Sequence, residues 1–361
     1  MKMKKNKIRV ISAVVSAIML ASSASVFAKF DAYNDPDGFT LGHYEVEVNQ
    51  EQRADTEKLY EQRPKNERQF ENLSRGLVAV PGENGTLVSW RFLGTDSNSL
   101  TYNLYCSGEK LNDKPITTTN FFHTGASTNA EYTLKEVENG EETGVEYTTT
   151  AWDKNYIGFK VTEREGYNID DGAVADLDGD GEYEILLRRV PSMDVNTRTS
   201  YPVIEAYKTD GTHMWTIDIG PNEINEVDIN FLAYDMDGDG KAEVIMRSFE
   251  GTTDGKGNTT GDTNGDGITD YSKSESNLAI FKDRQYIVST PEFLSIYDGE
   301  TGEETDRTDL KPSKEPLSDW SYRYSDTGRL TKRASHYLFG LAYLDGVTPS
   351  VVMVRGAWDN V

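Results

Sequence analysis

The feature that most constrains this chain is an acidic loop set between two short apolar runs. Phe231–Tyr234 leads into residues 235–240, which read DMDGDG, and a second apolar run follows at 244–246. Carboxylates at alternate positions 1, 3 and 5, with glycine at position 6, aim oxygen ligands at one hard cation and permit the sharp turn around it. The flanking runs are short and partly β-branched, which is typical of strands. The sequence therefore predicts a calcium loop between two strands, and a solvated acidic turn is the alternative.

This loop occurs three times, and we number the copies in chain order. Loop 1 is 176–184, loop 2 is 235–243 and loop 3 is 262–270. Position 9 is acidic in all three, whereas position 12 lacks the glutamate of the helix–loop–helix calcium motif. The predicted calcium ligands stand at positions 1, 3, 5 and 9: Asp176, Asp178, Asp180, Glu184, Asp235, Asp237, Asp239, Glu243, Asp262, Asn264, Asp266 and Asp270.

Composition argues against nucleic acid as a partner and favours metal ions over disulfides as stabilising cross-links. The chain has 61 acidic against 37 basic residues and a net charge of −24, which makes nucleic acid a poor partner. Its single cysteine, Cys106, permits no intramolecular disulfide. For an exported protein this favours calcium over disulfides as the means of stabilising loops.

The first residues have the pattern of a secretory signal. A basic stretch precedes the mostly apolar residues 10–20, which are too short to span a bilayer, and the small Ala28 suits a cleavage site. We predict a signal peptide over 1–28, a mature chain that begins at Lys29, and a secreted, extracellular protein with no membrane attachment after cleavage. An uncleaved anchor is the alternative. Residues 29–68 form a polar leader.

Residues 69–155 predict a small β-sandwich that resembles a fibronectin type III module. Short apolar or alternating runs, separated by turn residues, predict its strands, and Trp90 is a predicted core residue. The predicted strands cover 76–80, 86–92, 99–106, 131–137 and 145–150.

From about residue 160 the chain repeats a four-stranded unit. Residues 172–188, 231–247 and 340–355 share an apolar frame, and a hairpin with an Asp-Gly turn follows the first of them at 203–215. Four-stranded repeats of this period predict a β-propeller. Only three to four units fit within 160–361. We therefore expect an incomplete propeller and a chain that is a fragment of a longer protein.

With these residues in view, the chain resembles the rhamnogalacturonan lyases of polysaccharide lyase family 11. The resemblance implies an all-β protein in which an eight-bladed propeller follows the small sandwich, about half of it present here. It also implies structural calcium ions, an active site at the propeller centre and a polysaccharide substrate; we further expect a monomer. The segments that carry the resemblance are 73–80, 88–95, 176–187, 231–247, 251–255, 291–294 and 341–346.

The resemblance implies β-elimination between rhamnose and galacturonate in the rhamnogalacturonan I backbone of pectin. A base removes the C5 proton of galacturonate, and a cation neutralises the adjacent carboxylate. No catalytic residue is carried over to this chain, and we expect the fragment to be inactive alone. The predicted substrate-binding residues lie beside the repeats' loops and strand ends, with ordinary surface charges as the alternative: Asp170, Arg188, Arg189, Arg247 and Arg355.

Two other hypotheses stay open, and two segments depart from the family pattern: residues 189–191 read Arg-Val-Pro where Trp-Asp-Pro is common, and residues 320–338 differ in length. A non-catalytic, calcium-dependent binding propeller would need no catalytic base. A dockerin-type module is disfavoured because loop 3 has Lys273 at position 12 and no duplicate partner. Residues 320–338 are longer than is common in the family, and we interpret the basic residues Lys332, Arg333 and His336 as a charged loop, with a basic subsite as the alternative.

Overall fold

Antiparallel strands make up almost all of the regular structure. The computed structural model describes residues 68–126, 129–192, 201–223, 229–282 and 284–356. The predicted signal peptide, 1–28, and the polar leader, 29–68, lie outside these residues except for Arg68. Among the helices of the described ranges, none is long and apolar enough to cross a membrane.

The first part of the described chain is a domain of two sheets with a shared core. Its strands are β1 (Val78–Gly82), β2 (Gly85–Ser89), β3 (Thr101–Cys106), β4 (Glu109–Lys110), β5 (Asn120–Thr124), β6 (Glu131–Glu138) and β7 (Glu141–Thr150). They form sheets of order β1-β2-β5 and β4-β3-β6-β7. Val88 from one sheet and Leu104 from the other are fully buried in one cluster, together with Trp90. All five predicted strands are present with shifted ends, and the core position of Trp90 is confirmed.

Two four-stranded sheets and two pairs of strands follow. The first sheet, of order β11-β10-β9-β8, contains β8 (Tyr167–Ala175), β9 (Glu184–Pro191), β10 (Val203–Tyr207) and β11 (His213–Asp218). The second runs β12-β13-β16-β17, with the hairpin β14-β15 inserted in its sequence, and the last pair is β18-β19. Their bounds are β12 (Phe231–Tyr234), β13 (Glu243–Phe249), β14 (Leu278–Phe281), β15 (Arg284–Ile287), β16 (Glu292–Tyr297), β17 (Glu304–Asp309), β18 (Tyr337–Ala342) and β19 (Ser350–Arg355).

The repeats pack side by side along their first strands. β8 contacts β12, and β12 contacts β18. The first two sheets share one hydrophobic core, in which Leu186 and Trp215 of the first sheet lie with Met246 of the second. The Trp215 indole also donates to the carbonyl of Gly299 at 2.7 Å. The predicted four-stranded unit is confirmed twice, and closure into eight blades stays a prediction.

One α-helix, α1 (Thr327–Ser335), replaces the predicted charged loop within 320–338. The Asp326 side chain caps it by accepting the N–H of Arg329 at 2.9 Å. Lys332 and Arg333 occupy its last turn, where positive charge favours a helix. The prediction of a charged loop was therefore wrong, because this polar segment forms a capped helix. Short 3-10 helices cover Tyr271–Lys273, Glu275–Asn277 and Leu317–Trp320.

Residues 69–75, which we call the connecting segment, cross the loop ends of all three repeats. At the end of the segment, buried Arg75 pairs with Asp96 and with Glu136, the latter at 2.5 Å, within the sandwich. Its bonds to the repeats include Gln69 N–H to the Val347 carbonyl (2.8 Å), Gln69 Nε2 to the Asp235 carbonyl (3.2 Å) and Ser74 N–H to the Gly181 carbonyl (2.8 Å).

Candidate functional site

Loops 1 and 2 connect β8 to β9 and β12 to β13, and they share one hydrogen-bonded geometry. The aspartate at position 1 accepts backbone N–H bonds from the glycines at positions 4 and 6 at distances between 2.6 and 3.0 Å. The glycines at position 6, Gly181 and Gly240, have φ of +87° and +94°. Side chains with a Cβ rarely adopt this left-handed backbone, so the motif needs glycine there.

Three carboxylates converge in each of these two loops. Their ligand oxygens lie within 4.8 Å of one another. Two oxygens that each lie about 2.3–2.6 Å from one Ca²⁺ are at most about 5 Å apart, so both groups fit a calcium ion. The groups are Asp176, Asp178 and Glu184 in loop 1, and Asp235, Asp237 and Asp239 in loop 2.

Electrostatics in both loops favour a bound cation. Burial, together with the nearby aspartates of loop 2, raises the pKa of Glu243 to about 7. Burial likewise raises the pKa of Asp176 and of Glu184 in loop 1. Lys208 already offsets part of this charge, because its Nζ contacts Asp178 and lies 3.8 Å from Asp180. A divalent cation would stabilise the ionised carboxylates directly.

Loop 3 has the same turn but lies between β13 and β14, which are not paired with each other. Asp262 accepts the N–H groups of Gly265 at 2.7 Å and Gly267 at 2.8 Å, as position 1 does in the other loops. Asp270, the predicted ligand at position 9, instead accepts the N–H and hydroxyl of Ser272 and pairs with Lys273 at 2.8 Å. Asp270 therefore caps the short helix that follows.

Two of the predicted substrate-binding arginines lie below the surface of the first sheet. Arg188 contacts Asp170, whose side chain is 40% exposed, and donates to a backbone carbonyl of the next repeat. Arg189 pairs with the buried Glu205 at 3.1 Å and donates to the Thr162 carbonyl at 2.7 Å. The arginines are therefore paired and buried rather than solvated, and Asp170 is the exposed member of the set.

The other two arginines belong to a buried charge cluster, defined as Arg247, Arg355, Lys314, Glu223 and Glu292. Arg247 contacts Glu223 and lies 3.6 Å from Glu292, while Arg355 pairs with Glu292 at 2.5 Å. All five side chains are almost fully buried. The cluster joins β13, β16 and β19 to the end of α1, where both arginines donate to backbone carbonyls.

The sequence reasoning missed three members of this cluster. Glu223 and Lys314 stand in polar connections with no motif around them, so no signal pointed to either. Glu292 opens the apolar run of β16, and a lone acid at a strand start is a weak signal for a buried partner. Attraction from Lys314, Arg355 and Arg247 outweighs burial and holds the pKa of Glu292 below its usual value.

Lys314 gives the cluster a pH dependence that unfolding measurements can detect. Burial lowers the pKa of Lys314 to about 8 from 10.5, although Glu292 opposes the fall. Between these values the unfolded chain binds a proton that the folded chain does not, so the free energy of unfolding rises with pH. Lys314→Met is expected to remove that rise in urea unfolding across this window. The exposed Lys311, changed to Met, is the control, and parallel pH profiles for wild type and Lys314→Met would contradict the assignment.

Comparisons with known proteins give two family matches. Residues 158–361 match the model described as rhamnogalacturonan lyase family 11, C-terminal domain. Residues 68–152 match the model described as the rhamnogalacturonan I lyases beta-sheet domain. Together they cover both parts of the described fold.

Individual rhamnogalacturonan lyases also match this chain over most of its length. The rhamnogalacturonan endolyase YesW of Bacillus subtilis (strain 168) is 37% identical over 304 residues, 80% of this chain and 46% of the relative. The exolyase YesX of the same organism is 37% identical over 310 residues, 81% of this chain and 47% of the relative. The crystal structure of YesX superposes with a TM-score of 0.67, covering 81% of this chain and 48% of that one. The chain thus spans about half the length of these curated relatives.

Proposed function

This chain belongs to rhamnogalacturonan lyase family 11, and from that premise we propose that its protein cleaves the rhamnogalacturonan I backbone of pectin by β-elimination at galacturonate. The observation that carries the proposal is the family match over 158–361, a range that contains loops 1 to 3 and the buried charge cluster. The proposal includes export to the cell exterior and closure of the repeats into an eight-bladed propeller.

The proposed reaction balances without a redox partner. A base takes the C5 proton of galacturonate, and the electron pair of that bond forms a double bond between C4 and C5. The bond from C4 to the linking oxygen breaks, and the rhamnose oxygen that leaves takes up a proton. Negative charge that develops beside the carboxylate needs a fixed cation or hydrogen-bond donor. No residue of this chain is assigned as the base.

We assign the proposed substrate contacts by the exposure of the predicted substrate-binding side chains. Asp170, on the inner strand β8, is exposed enough to accept a hydrogen bond from a sugar hydroxyl. Arg188 holds Asp170 in place and would orient it. The other three arginines (Arg189, Arg247 and Arg355) keep their proposed role at the substrate side of the repeats, but they act through the carboxylates and carbonyls that they hold.

Calcium is part of the proposal because the loops fit it. The carboxylates of loops 1 and 2 have the spacing that an oxygen-ligated Ca²⁺ requires, and they would supply part of its oxygen ligands. When bound, the ion would neutralise the loop carboxylates and fix each loop between its two strands. In this proposal the ions serve stability, and the chemistry at galacturonate is left to side chains.

A paired assay tests the lyase proposal. The 361-residue chain and the same chain extended by the remaining length of a family 11 relative are collected from culture medium and incubated with rhamnogalacturonan I and calcium. The extended protein is expected to release unsaturated galacturonate ends that absorb in the ultraviolet, and the shorter chain little or none, because groups from opposite blades must converge on the substrate. Polygalacturonate without rhamnose is the control polymer.

Each other outcome has a distinct meaning. Equal absorbance growth from both proteins would place the base among the residues of this chain. Growth from neither would contradict the lyase proposal and favour the calcium-dependent binding propeller. Retention of the protein in cells, with residues 1–28 still attached, would contradict export.

A further inference from the structure

A buried glutamate outside the acidic motif approaches loop 3. Glu250, which follows the end of β13, is 0% exposed. One carboxylate oxygen, Oε1, accepts the backbone N–H of Thr263 at 2.6 Å and its hydroxyl at 2.5 Å. The other, Oε2, is buried and has no hydrogen-bond partner within the described ranges. A buried carboxylate oxygen without a partner costs stability unless a ligand satisfies it.

The contact to Thr263 matches a contact that defines the other two loops. Thr263 is position 2 of loop 3. At position 2 of loop 1, the N–H of Leu177 donates to Glu184 at 2.8 Å, and at position 2 of loop 2 the N–H of Met236 donates to Glu243 at 2.8 Å. In both cases the acceptor is the acid at position 9. In loop 3 the same place is taken by Glu250, which lies upstream of the loop.

Asn222 fixes this arrangement from a third segment. Its buried side-chain amide donates to the carbonyls of Glu250 at 2.7 Å and Thr269 at 2.9 Å, and its oxygen accepts the N–H of Tyr271 at 2.8 Å. One side chain thus ties the backbone of Glu250 to the exit of loop 3. The position of Glu250 beside the loop is therefore built into the fold.

We propose that Glu250, rather than Asp270, is the fourth side-chain ligand of a calcium ion in loop 3. The other three ligands stand at positions 1, 3 and 5, where an amide oxygen replaces one carboxylate: Asp262, Asn264 and Asp266. Backbone N–H bonds already hold this turn in the form seen in loops 1 and 2. The inference rests on the proposed calcium binding and adds a third, differently assembled site to it.

Calcium titration of the chelator-stripped chain tests the proposal. Isothermal titration calorimetry with Ca²⁺ alone is expected to show that Glu250→Gln binds one ion fewer than wild type. Asp270→Asn is the matched control and is expected to bind as many ions as wild type. Glu184→Gln, which alters loop 1, should also lose one ion, and its combination with Glu250→Gln should lose two.

Stability without metal separates ligand loss from misfolding. Because Glu250→Gln removes an unpaired buried charge, its melting temperature in chelator is expected to equal or exceed that of wild type, while in calcium it should fall below. Unchanged stoichiometry in Glu250→Gln, or loss of an ion in Asp270→Asn, would overturn the assignment of Glu250. Absence of any calcium binding by wild type would instead contradict the proposed function's metal component, and the inference with it.

Discussion

Removal of calcium with a chelator is expected to lower the melting temperature of this chain by about 10 °C or more. A ligand at about 100 times its dissociation constant adds about 2.7 kcal/mol per site to the free energy of unfolding. Each kcal/mol corresponds to about 2–4 °C for a domain approaching this size. Loss of the ions from loops 1 and 2 alone would therefore lower the melting temperature by about 10–20 °C. Without its ion, each loop is left with carboxylates that repel one another.

Asp237→Ala is the variant that isolates loop 2 in this experiment. It removes one of three converging carboxylates, so the melting temperature in calcium should fall and the further drop on chelation should be smaller than in wild type. Asp113→Ala, which alters an exposed acid outside the loops, should behave as wild type. Differential scanning calorimetry with and without chelator gives the comparison. Superimposable wild-type curves would refute metal binding in these loops.

Glu292→Ala is expected to lower the free energy of unfolding by about 3–5 kcal/mol, because it leaves buried cations without their partner. Glu292 lies 2.5 Å from Arg355 and 3.6 Å from Arg247, and its side chain is only 5% exposed. After the substitution the cluster would keep three cations and one carboxylate. The measurement is urea unfolding at neutral pH with saturating calcium, so that metal loss does not contribute.

An exposed ion pair supplies the control for that experiment. Glu300, 51% exposed, contacts Lys241 on the surface. Since pairs of this kind contribute about 0–1 kcal/mol, Glu300→Ala should change stability little. Similar losses in Glu292→Ala and Glu300→Ala would show that the buried charge cluster does not stabilise the repeats as its geometry indicates.

Local patterns made the repeats and two of the acidic loops predictable. Loops 1 and 2 each occupy nine consecutive positions, and their predicted ligands and turn glycines all come from that stretch. Strands β8, β9, β12 and β13 follow from the runs beside those loops, and β10 and β11 follow from the hairpin pattern at 203–215. Helix α1, which Asp326 caps, was not predicted, because the basic and polar composition of this segment was interpreted as a charged loop.

Long-range contacts account for what could not be predicted. In loop 3 the motif predicted Asp270 as the ligand at position 9. In the fold, Glu250, which follows the end of β13, is the acid that contacts the loop. The buried charge cluster combines Glu223, Glu292 and Arg355 from segments that no motif connects. Such sets are brought together by the packing of neighbouring sheets, and no spacing in the sequence records them.

The connecting segment has a consequence for the timing of synthesis. The Tyr343 hydroxyl donates to the carbonyl of Gln69 at 2.5 Å across 274 residues of sequence. At about 5–20 residues per second, roughly 15–55 s separate the appearance of the two residues on a ribosome. All residues of the sandwich core and of the first two repeats are synthesised before Tyr343, so Gln69 can bond to Asp235 of loop 2 before its bond to the third repeat is possible. The bond between Gln69 and Tyr343 is therefore possible only after the first strand of the third repeat has been synthesised.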